Sequence, residues 1–373
     1  MVNTERIVKE FLELAGIDSV SGKERQIADR LKAKLAGLGL EVYEDAAGTL
    51  VGSDTGNIIG RMSGSGRGPV LMLCSHMDTV EPGSGVKPVI EQGVIRSSGD
   101  TVLGADDKAG IAAILEVLRL LKENRIEHGG IEVVFTIWEE GGLFGSKNLD
   151  FSLLKARTGF VLDSDGPPGT IITRAPSQDR IGATIIGRAA HAGINPEDGI
   201  NAIEVAGHAI ARMKLGRIDH ETTSNIGVIA GGKAVNIVPD SVSLEGEARS
   251  LNAEKRKAQT ESICRAIRET ASRFGASADI KVETLYLDFD LGEEAPPVKI
   301  AVRAAENLGL TYLLGKTGGG SDANIFNSRG ISTAVLGIGM KKPHTTEEYI
   351  NVSDLAGNAR YLFEIVKVAQ KQI

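Results

Sequence analysis

Cysteine is nearly absent: the 373 residues contain two, Cys74 and Cys264. Two thiols cannot build a disulfide framework, which fits a reducing, cytoplasmic setting. No Lys/Arg block stands out, and 42 basic against 49 acidic residues leave a net charge of −7 with a pI near 5.6. That balance argues against a nucleic-acid surface. No apolar run is long enough to span a bilayer. Met1 to Ala15 carries Glu5, Glu10 and Glu13 and lacks the apolar core and cleavage site of a signal peptide. No glycine fingerprint of the G-x-G-x-x-G or P-loop type follows the first strand, which argues against a nucleotide-binding protein. Solenoid-type repeats and low-complexity tracts are also missing.

What remains is ordinary globular composition, 42% apolar and 24% charged, over a length that suits two domains. Thr4–Ala15 has helical apolar spacing (Ile7, Val8, Phe11, Leu12) and Gly16 to stop it. Ser21-Gly22-Lys23-Glu24 reads as a capping box, which predicts a second helix running to about Leu38. Short strands are expected at 41–45, 57–62 and 70–74. A polar, glycine-rich loop follows to about Leu103. A helix with Ile111, Ile114, Leu115, Leu118 and Leu121 on one face comes next. Apolar strands at 131–137 and 159–162 follow it. Strands alternating with helices indicate an α/β, doubly wound, mostly parallel sheet.

The pattern changes near Ser177. Strands near 178–188, 224–230, 242–250 and 279–287 interleave with helices at 199–213 and 253–274. That βαββαβ order is the ferredoxin-like unit. The α/β pattern then resumes through helices at 297–308 and 322–327, strands at 311–314 and 331–336, and a last helix capped by Ser353. The chain therefore reads as a discontinuous α/β domain (1–177 and 290–373) with a lid inserted at 178–289.

Polar residues collect at predicted strand ends: His76 and Asp78, Asp106 and Asp107, Glu139 and Glu140, and Asp163, with His344 in a later loop. Each has an ordinary alternative. Asp106 or Asp107 also reads as a helix cap, Glu139-Glu140 as a solvated turn, Asp163 as an Asx-turn residue and His344 as a loop histidine. In open α/β sheets, however, the carboxyl ends of strands are where sites form. Two histidines with three carboxylates suit a pair of divalent ions such as zinc. Two such ions about 3.5–4 Å apart need a bridging carboxylate and activate a shared water. Adjacent acids then divide the work, one ligating and one taking the proton.

His76-Met77-Asp78-Thr79-Val80, Gly104-Ala105-Asp106-Asp107-Lys108-Ala109-Gly110, Glu139-Glu140-Gly141-Gly142, Asp163 and Pro343-His344-Thr345-Thr346 together resemble the di-zinc metallopeptidase family of bacterial tripeptidase (peptidase T), glutamate carboxypeptidase and aminoacylase. The Ala-Asp-Asp-Lys form is most similar to the peptidase T branch. The resemblance implies that His76 and Asp163 bind one zinc, Glu140 and His344 the other, and Asp106 both, across a cis Asp106–Asp107 peptide. Cobalt or manganese are alternative metals. It implies Glu139 as general base and Asp78 as the group orienting His76. In the lid it implies His191 as oxyanion donor, and Arg249 and Asn236 as substrate-binding residues. The Gly318–Asp322 loop, through Gly319 and Ser321, reads either as a carboxylate-holding turn or as a plain turn with Asp322 as N-cap. The implied activity is hydrolysis of short peptides, most specifically a tripeptide aminopeptidase, with an N-acyl amino-acid deacylase or carboxypeptidase as the alternative. A homodimer through the lid is the arrangement common in that family. A non-catalytic metal- or ligand-binding relative ought to lack the base, and Glu139 is present. His128, His208, His220, Cys74, Cys264 and Trp138 read as structural.

Overall fold

A computed structural model describes residues 1–371. The chain divides into two units, one of Met1–Thr173, Asp290–Lys316 and the segment from Ser321 onward, the other of Arg174–Phe289 with Thr317–Gly320. The first division falls at 173/174 rather than at 177/178, and the Thr317–Gly320 turn goes with the inserted unit.

The first unit is built on a mixed sheet whose strands run in the order Glu41–Glu44, Ile58–Ser63, Gly130–Thr136, Leu71–His76, Thr158–Ser164, Ser332–Gly337 and Thr170–Ala175. Its four middle strands are parallel, and antiparallel pairs flank them. Leu71–His76 is buried at every position, as is Gly130–Thr136, so both lack the alternation of a one-sided strand. Helix Ala105–Glu123 covers the Leu71–His76 strand and is itself flanked by Thr4–Ala15 and Val352–Ala369. The apolar stripe read from its sequence is buried, and so are Ala109, Ala112, Ala113 and Val117 on its other faces, as expected for a helix enclosed by neighbours.

The second unit holds a separate antiparallel sheet in the order Gly216–Arg217, Thr222–Gly231, Ser241–Ser250, Ser177–Ile186 and Ser277–Tyr286. Helices Ala202–Ala211 and Ala253–Arg273 pack on it around Ile181, Ile185, Val205, Ile263 and Ile267. This is the βαββαβ arrangement expected from the order of elements.

Three local expectations fail for tertiary reasons. The second helix begins at Arg25, not after Ser21, and Glu24 makes no side-chain cap on it. The Ser21 hydroxyl instead donates to Asp78 Oδ2 at 2.7 Å, and Glu24 accepts the Gly22 and Trp138 N–H groups. The last helix starts at Val352 with Asn351 as N-cap, so Ser353 lies inside it. The loop before Leu103 contains a hairpin, Pro88–Glu91 with Val94–Ser97, extended by Tyr349–Asn351. Its turn at Gln92-Gly93 has φ of 51° and 80°, a primed-type geometry masked by the surrounding polar residues.

Candidate functional site

His76 is the last residue of its strand, and its ring lies among carboxylates. Nδ1 sits 2.9 Å from the Asp78 backbone oxygen, so that nitrogen carries a proton and Nε2 is the atom turned toward the carboxylates. Nε2 lies 3.0 Å from Asp106 Oδ1 and 4.0 Å from Asp163 Oδ1. The other Asp106 oxygen, Oδ2, is 3.2 Å from His344 Nε2, and His344 Nε2 is 3.0 Å from Glu140 Oε1. A single carboxylate thus faces one histidine with each oxygen.

Asp106 reaches this position because the start of its helix is not helical. Gly104 has φ 73°, Asp106 has φ −77° and ψ 101°, and the Asp106–Asp107 peptide is cis. Gly110 lets the helix approach the strand: a Cβ there would stand 2.2 Å from Ser75 Oγ and 2.5 Å from Asp107 Oδ1. Glu139 and Glu140 follow the strand Gly130–Thr136 through Trp138, whose φ is 46°. Their N–H groups donate to Asp78 Oδ1 at 2.9 Å and Oδ2 at 3.2 Å. Gly141 is required by the Trp138 ring, since a Cβ would fall 2.1 Å from Trp138 Nε1.

Two groups of ligand atoms converge: His76, Asp106 and Glu140, and His76, Glu139 and Asp163, each set lying within 4.8 Å of one another. Burial pushes the Glu139 carboxyl well above the usual range, and the charges of Asp322 and Glu140 add to it. Asp163 is driven up by burial and by Asp106 and Glu139. Burial raises Glu140 as well, against the pull of His344. Burial opposes ionisation of Asp106 too, but His344 and His76 outweigh it and hold this carboxyl low. His344 is pushed up to about 10 by its hydrogen bonds to Asp106 and Glu140. Burial alone would lower His76, and Asp106 and Asp78 pull it up instead.

Four carboxylates face two imidazoles here, with His76 buried and His344 exposed at the edge of the cluster. Glu140 Oε1 is buried against His344 Nε2 at 3.0 Å, on the side of the cluster opposite His76 and Asp163. Acceptors that converge without bonding one another suit a cation between them, and the mixed oxygen and imidazole set suits a divalent metal ion.

The remaining expected residues belong to neither group of ligand atoms. His191, exposed, belongs to the second unit and bridges Ile237. Its Nδ1 accepts the Gly193 N–H at 3.1 Å, which leaves the proton on Nε2. Asn236 is exposed there, and its carbonyl accepts the Ala192 N–H. Arg249 is half-buried and forked on Glu247, Nε to Oε1 at 3.1 Å and Nη2 to Oε2 at 2.9 Å. The Gly319 N–H donates to Thr317 Oγ1 and the Ser321 N–H to Asn324 Oδ1, so both donors are engaged within their own turn. Ser321, not Asp322, is the N-cap of helix Asp322–Ser328. Asp322 is buried and accepts the Thr136 hydroxyl at 2.6 Å.

Several contributors escape sequence reasoning. Ser21 was disguised by its capping-box spacing. Glu348 accepts N–H groups from the Asp106 turn and carries no local signal, since its partners are distant in the chain.

The family model for Peptidase family M20/M25/M40 matches residues 72–368. A tripeptidase from Staphylococcus aureus has a solved structure of TM-score 0.96 and 44% identity, covering 100% of both chains. An aminopeptidase PepT from Bacillus cereus superposes with TM-score 0.92 at 45% identity over 99% of each chain. Carboxypeptidase G2 of Pseudomonas sp. is 32% identical across 85% of this chain and 77% of its own length. With the family model spanning most of the chain, and these relatives matching both units, the protein belongs to peptidase family M20/M25/M40.

Proposed function

We propose that the protein is a metal-dependent exopeptidase acting on short peptides, most specifically a tripeptide aminopeptidase. The observation that carries this is the Asp106 carboxylate, directed by one oxygen to His76 and by the other to His344, with Glu139 alongside. Full-length similarity to a tripeptidase and an aminopeptidase supports the substrate class. His76 and Asp163 would hold one divalent ion, Glu140 and His344 a second, and Asp106 both. Zinc suits this donor set best, with cobalt or manganese as substitutes. Bound there, such ions supply Lewis acidity toward a water and a carbonyl oxygen.

The chain's own residues supply the rest. Glu139 takes a proton from the attacking water and passes it to the leaving amine. Asp78 holds the His76 ring with Nε2 turned toward the carboxylates. From the second unit, His191 offers Nε2–H to a developing oxyanion. Arg249 offers guanidinium N–H groups to a substrate carboxylate. Asn236 joins this substrate-binding set, and the second unit serves as lid and dimerisation domain. Gly319 and Ser321 receive no substrate role, because their N–H groups are engaged.

A carboxypeptidase or N-acyl amino-acid deacylase is the competing reading, favoured by the similarity to carboxypeptidase G2. Release of product from a free tripeptide, its N-acetylated form and an N-acyl amino acid separates the readings. The aminopeptidase cleaves the first and spares the other two. Equal cleavage of the acetylated tripeptide overturns it.

A further inference from the structure

Glu348 is 1% exposed and four residues beyond His344. Oε2 accepts the Leu103 and Gly104 N–H groups, each at 2.7 Å, and Oε1 accepts the Asp106 N–H at 3.0 Å. Its own N–H donates to the Thr345 oxygen at 3.1 Å, so the same residue is tied to the turn that carries His344. It is absent from both groups of converging ligand atoms. A buried carboxylate beside Asp106 is electrostatically unfavourable, and three charge-assisted hydrogen bonds offset that.

The two sides of the cluster are supported differently. His76 ends a central strand and is paired there with Thr136, and Asp163 lies within the next strand of the same sheet, beside a register shift against Ser332–Gly337, so both are carried by strands. Asp106 and His344 stand in turns, after Gly104 at φ 73° and with His344 itself at φ 62°. Glu348 is the side chain that joins those two turns.

We propose that Glu348 is a positioning residue that sets Asp106 against His344 and thereby governs how tightly the Glu140–His344 side of the centre holds a divalent cation. The proposal rests on the reading of Asp106 as a shared ligand. Loss of Glu348 loosens the two turn-borne ligands and leaves the strand-borne pair in place.

The test titrates the metal-stripped full-length protein with Co²⁺ or Zn²⁺, followed by calorimetry and, for cobalt, by visible absorption. Glu348→Gln retains the shape but loses acceptor capacity. It is expected to weaken the step at the Glu140–His344 side, which loses two positioned ligands, by ~10–100-fold, the range for groups that support metal ligands, and to weaken the other step, which loses only the shared Asp106, clearly less. Glu347→Gln, changed at the exposed neighbour that pairs with Lys342, is expected to bind both ions like the wild type. Glu348→Ala extends the comparison, and Glu348→Gln stands in if the alanine variant does not fold. Wild-type binding of both ions by Glu348→Gln overturns the proposal alone. Equal weakening of both steps together with a lowered Tm also overturns it, leaving Glu348 a support of the fold. A wild type that takes up no divalent ion sinks the metal reading and this proposal with it.

Discussion

Asp78 Oδ1 accepts the backbone N–H of Glu139 at 2.9 Å. The same carboxylate accepts the Glu140 N–H and the Ser21 hydroxyl through Oδ2, and Oδ1 lies 3.4 Å from His76 Nδ1. One fully buried side chain therefore registers His76 against both acids of the Glu-Glu pair. Its role is broader than orienting an imidazole.

Asp78→Asn follows directly. The amide places a donor where three donors already point, so at least one contact turns repulsive. We expect kcat/KM to fall ~10–100-fold and metal affinity to fall in parallel, by the magnitude typical of groups behind metal ligands. Ser21→Ala, which removes one of the donors and leaves the carboxylate, is expected to cost under about tenfold. Steady-state kinetics with metal titration of both variants measures the difference. Full activity in Asp78→Asn would refute the account.

Glu139→Gln separates chemistry from binding. Gln cannot carry the proton from water to amine, so kcat is expected to drop ~10²–10⁴-fold. Metal content is expected to stay near the wild-type value, because Glu140, Asp106, Asp163 and the two histidines remain. Turnover and metal analysis on one preparation decide it. Retained turnover excludes Glu139 as the base.

The pH dependence of metal uptake has a defined sign. In the metal-free protein the His344 ring is pushed up to about 10 by Asp106 and Glu140, so it is protonated at neutral pH. A folded-state value above the ordinary 6.5 means that this ion pair stabilises the metal-free protein fully below 6.5 and is lost as pH rises through the elevated value. A cation must displace that proton, so its affinity rises with pH across the same window. His344→Asn is expected to flatten the slope of log affinity against pH by about one proton. Metal titrations at several pH values test this, and an unchanged slope refutes it.

The proposed role of Arg249 bears on substrate choice. Glu247 occupies its Nε/Nη2 edge, and Gln178 in turn donates to Glu247 at 2.7 Å, so the guanidinium plane is fixed and Nη1 is left for a ligand. Arg249→Gln is expected to raise KM for a free-acid tripeptide ~10–100-fold, the worth of a charge-assisted hydrogen bond. The C-terminally amidated peptide should barely respond. A KM ratio between acid and amide that survives the substitution removes Arg249 from carboxylate binding.

The sequence by itself determined the α/β class, the inserted βαββαβ unit and the residues of the cluster. It could do so because the information is local. Uninterrupted apolar runs mark buried strands, and His76, Glu139, Glu140 and Asp163 lie at or just beyond the carboxyl ends of such runs. Tertiary structure alone decided what holds them. Ser21 and Glu24 have the spacing of a capping box, yet they serve Asp78 and Trp138 because the strand ends offer them stronger partners than the helix start does. Asp322 reads as a helix cap and is drawn instead to Thr136, across the sheet. Glu348 meets Asp106 across 242 positions of sequence. No periodicity or spacing encodes such a contact. It arises only when the sheet brings the Asp106 turn and the His344 turn together, leaving buried N–H groups that a carboxylate must satisfy.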